Sequence, residues 1–145
     1  RIEMGHIAGS ELDGRTIPYD NSLEGLVSKK KDFIGKRSLG RKAFIAADRQ
    51  KVVGVVPIDK KTSIPEGSHL VKDARAQIPN PKLGYISASC WSVEYDNPFS
   101  LAIIKDGKNM IGQKLFAMSP LKNKTIPVEI VSSHYVDPNG ERVRS

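Results

Sequence analysis

The sequence predicts a mainly β fold: a small six-stranded barrel, preceded by an irregular segment and one or two short helices. Three observations indicate this fold. After Arg49 the chain turns into short β-branched and aromatic runs separated by turn residues, a pattern typical of sandwiches and barrels. Six such runs occur, enough for a small barrel. The length of 145 residues suits one compact core.

The first part of the chain predicts little regular structure. Residues 1–28 are rich in Gly, Asp and small residues and show weak periodicity, which indicates connecting structure that packs on something else. Asp32 is a good N-cap, and Leu39, Ala43 and Ala47 recur at helical spacing. We therefore expect a helix from Asp32 to Ala47, which Gly40 can divide in two. Its basic face is expected to be solvated.

The barrel strands follow in order along the remainder of the chain. The predicted strands are Lys51–Ile58, Ser68–Lys72, Leu83–Ser89, Phe99–Lys105, Lys114–Met118 and Thr125–Tyr135. Turn-forming residues separate several of them, at Pro65-Glu66-Gly67, Asp106-Gly107 and Pro120–Lys124. Pro79-Asn80-Pro81 is expected to form a loop between strands, and no segment is long enough to be an interdomain linker.

Composition limits the class of protein. Hydrophobic residues make up 39% and charged residues 27%, which excludes a disordered or fibrous chain. Lys and Arg number 23 against 16 Asp and Glu, a net charge of +7 that favours anionic partners without choosing among them. No run is long enough to span a bilayer, so we expect no membrane association. A single cysteine excludes an intrachain disulfide and fits a reducing, cytoplasmic location.

Residue spacing reveals no complete active site. His6, His69 and His134 lie in separate segments, so no metal site is predicted. Cys90, beside Trp91 at the end of a predicted strand, is interpreted as a structural thiol. The chain has no Gly-x-Ser-x-Gly elbow, and no Ser and His pair can be argued from spacing. We therefore expect no catalytic residue in this chain. Because position 1 is Arg, the native N-terminus is expected to lie upstream.

Arg1–Gly5, Lys31–Leu39 and Leu83–Ser89 are three elements that resemble motifs of the glycine-cleavage T-protein (aminomethyltransferase) superfamily, which binds tetrahydrofolate. Arg1-Ile2-Glu3-Met4-Gly5 is similar to the superfamily's Arg-x-Glu-x-Gly motif. Lys31-Asp32-Phe33-Ile34-Gly35-Lys36-Arg37-Ser38-Leu39 is similar to its Lys-x-Asp-Phe-Ile-Gly element, and Leu83–Ser89 to its Gly-x-Val-Thr-Ser strand. The elements occur in the same order, and the resemblance covers essentially the whole chain.

Four further segments narrow the resemblance: Trp91-Ser92, Phe99–Ala102, Ile126–Glu129 and the Asp137-Pro138-x-Gly-x-Arg142 ending. With them the chain resembles the C-terminal part of the alpha subunits of heterotetrameric sarcosine oxidases. It implies oxidative demethylation of sarcosine to glycine, with the one-carbon unit passed to tetrahydrofolate. It also implies that flavin and NAD bind in other domains or subunits, since nothing here is similar to a dinucleotide fingerprint.

The resemblance further implies how the chain is divided and which residues face folate. Residues 1–48 would end the folate-binding region with a connecting helix, and residues 49–145 would form the C-terminal barrel. The expected partners are the N-terminal part of the same subunit and the other oxidase subunits, without nucleic acid. The chain would contribute to the folate end of the reaction and be inactive alone.

Four residues are candidates for folate binding. Arg1 and Glu3 match the superfamily motif; Arg can pair with the glutamate tail or the pterin, and Glu can accept from pterin N–H groups. Tyr19 and Trp91 are candidates because aromatic rings can stack on the pterin or line its cavity. The alternatives are an interdomain ion pair for Arg1, a turn contact for Glu3, core packing for Tyr19 and a barrel cap for Trp91.

Other functions stay open at this point. A dimethylglycine oxidase or an aminomethyltransferase-type folate domain would share the fold. A basic β-barrel that binds nucleic acid is the alternative from another class, and it would lose affinity steeply with salt. A largely structural, subunit-contacting role is compatible with the first interpretation.

Overall fold

Six antiparallel strands close into a barrel in the computed structural model, which describes residues 1–75, 82–142 and 144. The strands are β1 (Gln50–Pro57), β2 (His69–Val71), β3 (Gly84–Ser92), β4 (Asn97–Lys105), β5 (Lys114–Ser119) and β6 (Lys124–Val131). Their order around the barrel is β1-β4-β3-β2-β5-β6, and β6 pairs with β1 to close it. The predicted mainly β fold with a six-stranded barrel is confirmed.

The barrel interior is filled by side chains from alternate strand positions. Inward-facing residues of β1 and β4 include Val53, Val55, Ala102 and Ile104, and all belong to one buried cluster. The strands were recognisable as short β-branched runs bounded by turn residues, since β1 and β4 are buried along almost their whole length and show no apolar alternation.

β1 and β4 are also buried on the outside of the barrel. Val52, Phe99, Leu101 and Ile103 form a second buried cluster, which faces outward. Residues near both ends of the described chain cover it, among them Ile2, Ile7 and Tyr135. The ring of Tyr135 stacks on Phe99 with centroids 4.5 Å apart. The outer face of these two strands is therefore the surface on which the N-terminal segment is held.

The helix expected from Asp32 to Ala47 is divided at Gly40, as its sequence allowed, but its extent and its cap are wrong. Two single-turn helices replace it, α1 (Lys36–Leu39) and α2 (Lys42–Ile45). The residue before α1 is Gly35, with a left-handed φ of 95°, and not Asp32. The Asp32 side chain is fully exposed and reaches only Lys36, at 3.5 Å. Neither helix has a buried residue, so the predicted apolar stripe does not pack on the barrel.

The last predicted strand is also too long. β6 ends at Val131, four residues before the predicted end at Tyr135, and the chain then crosses to the N-terminal segment. A third short helix, α3 (Gly107–Met110), begins at the predicted Asp106-Gly107 turn and packs against β1. The expected Pro79-Asn80-Pro81 loop lies outside the described residues. Within the described part of the chain, every helix is too short or too polar to cross a bilayer.

Candidate functional site

The segment that carries Arg1 and Glu3 is clamped by the chain that follows β6. The Glu3 carbonyl accepts hydrogen bonds from the amides of Tyr135 and Val136, at 3.0 and 2.9 Å. Gly5 has a left-handed φ of 70°, and a Cβ built there would lie 2.9 Å from the Ser133 carbonyl oxygen. Glycine is therefore required at this position by both the backbone conformation and the close approach.

Arg1 is held at the barrel surface by two acceptors. Its Nη1 donates to the His6 carbonyl at 2.8 Å and lies 3.7 Å from Glu11 Oε2. The Arg1 side chain is 43% exposed, whereas Glu11 is completely buried. Since a guanidinium has five N–H donors, most of them remain directed away from these contacts. Arg1 can therefore present a fixed cation to an anionic or carbonyl group.

Glu11 is a residue that the sequence did not single out. Its Oε2 accepts the Ala8 amide at 2.9 Å, which closes the short 3₁₀ turn at Gly9–Glu11. Its Oε1 is buried and has no hydrogen-bond partner among the described residues. A capping box usually has Ser or Thr at the N-cap, but here Ala8 occupies that position, so the usual signal is missing.

Glu3 places a second carboxylate close to the barrel wall. Its Oε2 is buried and has no partner among the described residues. It lies near Cys90, whose pKa is raised first by burial of the thiol and then by the negative charge of Glu3. Native proteins seldom leave buried polar atoms unpaired. The segment therefore offers two unfilled carboxylate acceptors, on Glu3 and Glu11, next to one guanidinium.

Trp91 lies in a different direction from Glu3. Cys90 pairs with Phe99 across β3 and β4 and belongs to the outward-facing cluster. Because successive strand residues point to opposite faces, Trp91 points away from that cluster. Its side chain is about half exposed, and the indole N–H donates to Asp96 at 3.2 Å within the same hairpin.

Tyr19 lies in a third location. It lines a cavity of about 300 Å³ together with Phe44, Arg49 and Lys51. The structure thus brings Arg1 and Glu3 together on one segment, and it places Tyr19 and Trp91 elsewhere. Their roles in folate binding stay predictions.

A buried ion pair joins the first third of the chain to the barrel. Asp20 is 2% exposed, and Arg49 grips it through two hydrogen bonds, Nε to Oδ1 at 2.7 Å and Nη2 to Oδ2. This contact holds the pKa of Arg49 above its usual value. The Asp20 carbonyl also accepts the Val52 amide of β1 at 2.8 Å. The loop before α1 is therefore fixed on the edge of β1.

The segment between Asp20 and Arg49, which contains α1 and α2, exposes apolar side chains. Leu26, Phe33, Ile34 and Ile45 are all exposed, and Ile34 is fully so. Beside them a shallow cavity of about 290 Å³ has an almost wholly apolar lining that includes Leu23, Leu26 and Phe33. We call residues 23–45 the apolar shoulder. Elsewhere, the described residues contain no group of three or more His, Cys, Asp or Glu side chains placed to hold a metal ion.

The fold matches one part of an aminomethyltransferase. The glycine cleavage system aminomethyltransferase T from Bartonella henselae superposes with a TM-score of 0.68. The match covers 94% of this chain and 37% of that protein, at 20% sequence identity. At that identity the likeness establishes the fold. No protein family model matches the chain.

The relatives found by sequence identity indicate a narrower class of protein than the structural match does. The chain is 36% identical over 145 residues to sarcosine oxidase subunit alpha of Rhizobium meliloti (strain 1021), a match that covers 99% of this chain. It is 37% identical to the same subunit of Corynebacterium sp. (strain U-96). The chain is thus a homologue of the sarcosine oxidase alpha subunits, and the predicted resemblance is confirmed. It spans only 15% of the length of these relatives.

Proposed function

We propose that this chain is the barrel part of a sarcosine oxidase alpha subunit and that it forms one wall of a tetrahydrofolate site. The whole enzyme would oxidise the N-methyl group of sarcosine, leaving glycine and passing the one-carbon unit to tetrahydrofolate. Flavin and NAD would bind in other domains or subunits. The homology to sarcosine oxidase alpha subunits over 99% of the chain supports this assignment.

The observation that carries the folate proposal is the clamped Arg1 and Glu3 segment. Arg1 has N–H donors to spare, and the carboxylates of Glu3 and Glu11 each have a buried oxygen that no described residue fills. Arg1 and Glu3 suit folate, because the pterin edge presents N–H donors and a carbonyl oxygen and the glutamate tail is anionic, whereas the completely buried Glu11 supports Arg1 from below. Glu3 Oε2 is buried, so it would meet a pterin N–H only after the carboxylate rotates.

The chain would supply binding and orientation rather than chemistry. Arg1 would fix an anionic or carbonyl group of folate, and Glu3 would accept from an N–H donor. Both depend on a backbone that the C-terminal tail holds in place, so little ordering is needed when the ligand binds. Tyr19 and Trp91 are proposed as secondary contacts that reach the ligand only if it extends beyond this segment.

The remaining alpha-subunit polypeptide is the proposed principal partner. The alpha subunits are several times longer than this chain, and the apolar shoulder is a surface that such additional chain would cover. We propose residues 1–48 as the end of the folate-binding region and residues 49–145 as the barrel domain. Contacts with the other oxidase subunits and a cytoplasmic location remain predictions.

Titration calorimetry with tetrahydrofolate tests the proposal, using both this chain and the whole alpha subunit. We expect the whole subunit to bind, and Arg1→Gln and Glu3→Gln to weaken binding by about tenfold or more, as for loss of a charge-assisted hydrogen bond. Lys124→Gln, on the exposed start of β6, is the matched charge control. Unchanged affinity in both variants would remove these residues from the site. No binding by the whole subunit would refute the folate function.

A further inference from the structure

Two adjoining cavities form an apolar groove at the shoulder. The first is the cavity of about 290 Å³ that Leu26 helps to line. The second, of about 230 Å³, is lined by residues that include Leu12 and Ile17. Pro18 and Leu23 belong to both linings, so the two cavities adjoin. We call them together the shoulder groove, which offers two neighbouring places for apolar side chains.

Positive charge is concentrated in the chain segment that borders this groove. Residues 29–42 carry seven cationic side chains against one carboxylate, that of Asp32, a local surplus of six within a net charge of +7. Lys36 lies 3.5 Å from Asp32. The other six cations are exposed and make no ion pair with any residue that the structure describes: Lys29, Lys30, Lys31, Arg37, Arg41 and Lys42.

This combination of groove and charge selects a partner that is both apolar and acidic. Six unpaired cations on one short segment repel each other, and a carboxylate-bearing partner would relieve that repulsion. Apolar side chains between the carboxylates would fill the two cavities and remove Leu12 and Leu26, which are 55% and 80% exposed, from water. Neither a purely acidic nor a purely apolar partner would use both features.

Asn21 adds an acceptor that a polypeptide backbone can use. It lines the second cavity and is 6% exposed, and its Oδ1 is buried with no hydrogen-bond partner among the described residues. After a rotation of the side-chain amide, this oxygen can accept from a backbone N–H of a bound segment. A polypeptide therefore fits the groove better than a small apolar molecule does.

Two other occupants fit the surface less well. A second copy of the chain would bring the same cations together, so the contact would be opposed by like-charge repulsion. A flat anionic lipid surface would neutralise the cations, but it would leave a concave groove without side chains to fill it.

We propose that the shoulder groove binds an acidic segment of the remaining alpha-subunit polypeptide, with apolar side chains between its carboxylates. The proposal rests on the function proposed above, which supplies that polypeptide, and it adds where the polypeptide docks and which side chains it brings. The basic face of residues 29–42 is then part of an interface and not a solvated surface.

A synthetic peptide tests the chemistry of the groove. The probe is a fluorescein-labelled Glu-Glu-Leu-Glu-Glu-Leu-Glu-Glu amide, titrated with the 145-residue chain and followed by fluorescence anisotropy. We expect binding that weakens as salt screens the charges. Peptides with glutamine for every glutamate, or with alanine for both leucines, are each expected to bind about tenfold more weakly. Equal binding of either peptide and the probe would overturn the proposal.

Matched variants locate the binding site on the chain. Leu26→Gln is expected to weaken binding of the probe about tenfold, because it removes an apolar contact in the groove. Leu121→Gln, at a fully exposed position on the β5–β6 turn, is the control and is expected to leave the affinity unchanged. Equal losses in the two variants would place the probe elsewhere and overturn the proposal.

The cations are tested with two double variants of the same charge. Lys29→Gln with Lys30→Gln is expected to weaken binding of the probe about fivefold and to make it less sensitive to salt. Lys122→Gln with Lys124→Gln removes two exposed lysines near the β5–β6 turn and is expected to change neither. Equal effects would indicate unspecific attraction to a basic protein and would overturn the proposal.

The whole alpha subunit identifies the natural occupant. We expect it to bind the probe at least about tenfold more weakly than the 145-residue chain does, because its own segment already fills the groove. Equal binding by both proteins would overturn the assignment to the alpha-subunit polypeptide. Displacement of the probe from the 145-residue chain by phosphatidylserine vesicles would indicate a lipid surface and would also overturn it. None of these measurements uses folate, so a failure of tetrahydrofolate binding would refute only the folate function.

Discussion

Gly5 touches the backbone of Ser133, so that the N-terminal motif and the C-terminal tail close on each other across the barrel surface. A Cβ at Gly5 would lie 2.9 Å from the Ser133 carbonyl oxygen, and the φ of 70° is unfavourable for any other residue. The glycine in the Arg-x-Glu-x-Gly motif is therefore explained by packing and backbone conformation. It does not need to contact a ligand to be required.

Gly5→Ala is expected to destabilise the chain by about 2 kcal/mol, combining the cost of a positive φ with that of a backbone clash. Urea unfolding monitored by circular dichroism measures it. Gly14→Ala is the control, because a Cβ there has no neighbour within 4 Å and the φ is not positive. Equal stability of the two variants would show that the tail does not clamp the motif.

Asp20→Asn tests the second contact between the N-terminal segment and the barrel. The variant leaves Arg49 facing an uncharged amide in a buried site, and we expect a loss of roughly 2–4 kcal/mol in unfolding free energy. Asp13→Asn is the comparison, because its ion pair with Arg15 is exposed. That substitution is expected to cost less than about 1 kcal/mol. Similar effects of both changes would contradict the burial of Asp20.

The barrel was predictable because its strands obey local rules, whereas the helical segment does not. β1 and β4 are short β-branched runs bounded by turn residues, and both of their faces are apolar because the interior and the terminal segments each cover one face. The Asp32 cap failed because none of Leu39, Ala43 and Ala47 is buried, so the predicted stripe gains little from packing. Without such burial, local helix propensity supports only the two single-turn helices α1 and α2.

The candidate site was only half predictable, for a similar physical reason. Arg1 and Glu3 were found through a motif, and both lie on one clamped segment. Glu11 was missed because its burial depends on docking against β3, where Ser10 donates to the Ser87 carbonyl at 3.1 Å. Trp91 was grouped with the site by its place at a strand end, but pleating turns it away from Cys90 and Glu3.

The pKa of the Cys90 thiol depends on the position of the Glu3 carboxylate. Burial and the charge of Glu3 both raise the pKa of its thiol, so little reactive thiolate is expected at neutral pH. Glu3→Gln is expected to lower that pKa while leaving it above its ordinary value, because burial is the larger cause. The pH dependence of reaction with a thiol reagent measures the shift. Asp48→Asn is the control, because its exposed carboxylate lies beside Lys105 at the other end of β4 from Phe99, the partner of Cys90. An unchanged profile in Glu3→Gln would place the Glu3 carboxylate elsewhere.

Asp59 should make a small contribution to acid stability. Its pKa is lowered to about 2, first by the Thr62 hydroxyl and then by the amides of Thr62 and Lys61. A carboxyl whose pKa is lower in the folded state stabilises the fold above its unfolded pKa, near 3.9. This contribution is lost as the pH falls from about 4 towards 2. Thr62→Val is expected to move the Asp59 titration measured by NMR towards 3.8. An unshifted midpoint would contradict the hydroxyl contact.

The apolar shoulder should make the isolated chain self-associate, because exposed apolar patches find partners when their natural cover is absent. Ile34 is 104% exposed among other exposed apolar residues, whereas Leu121 is 101% exposed on the β5–β6 turn, away from the shoulder. Ile34→Lys is therefore expected to reduce association in sedimentation velocity, while Leu121→Lys, which adds the same charge at an equally exposed position, is not. Since both changes add positive charge, equal effects would indicate general repulsion rather than a docking surface. In the whole alpha subunit the shoulder variant should also lower thermal stability, because a lysine would then replace an apolar contact with the covering polypeptide.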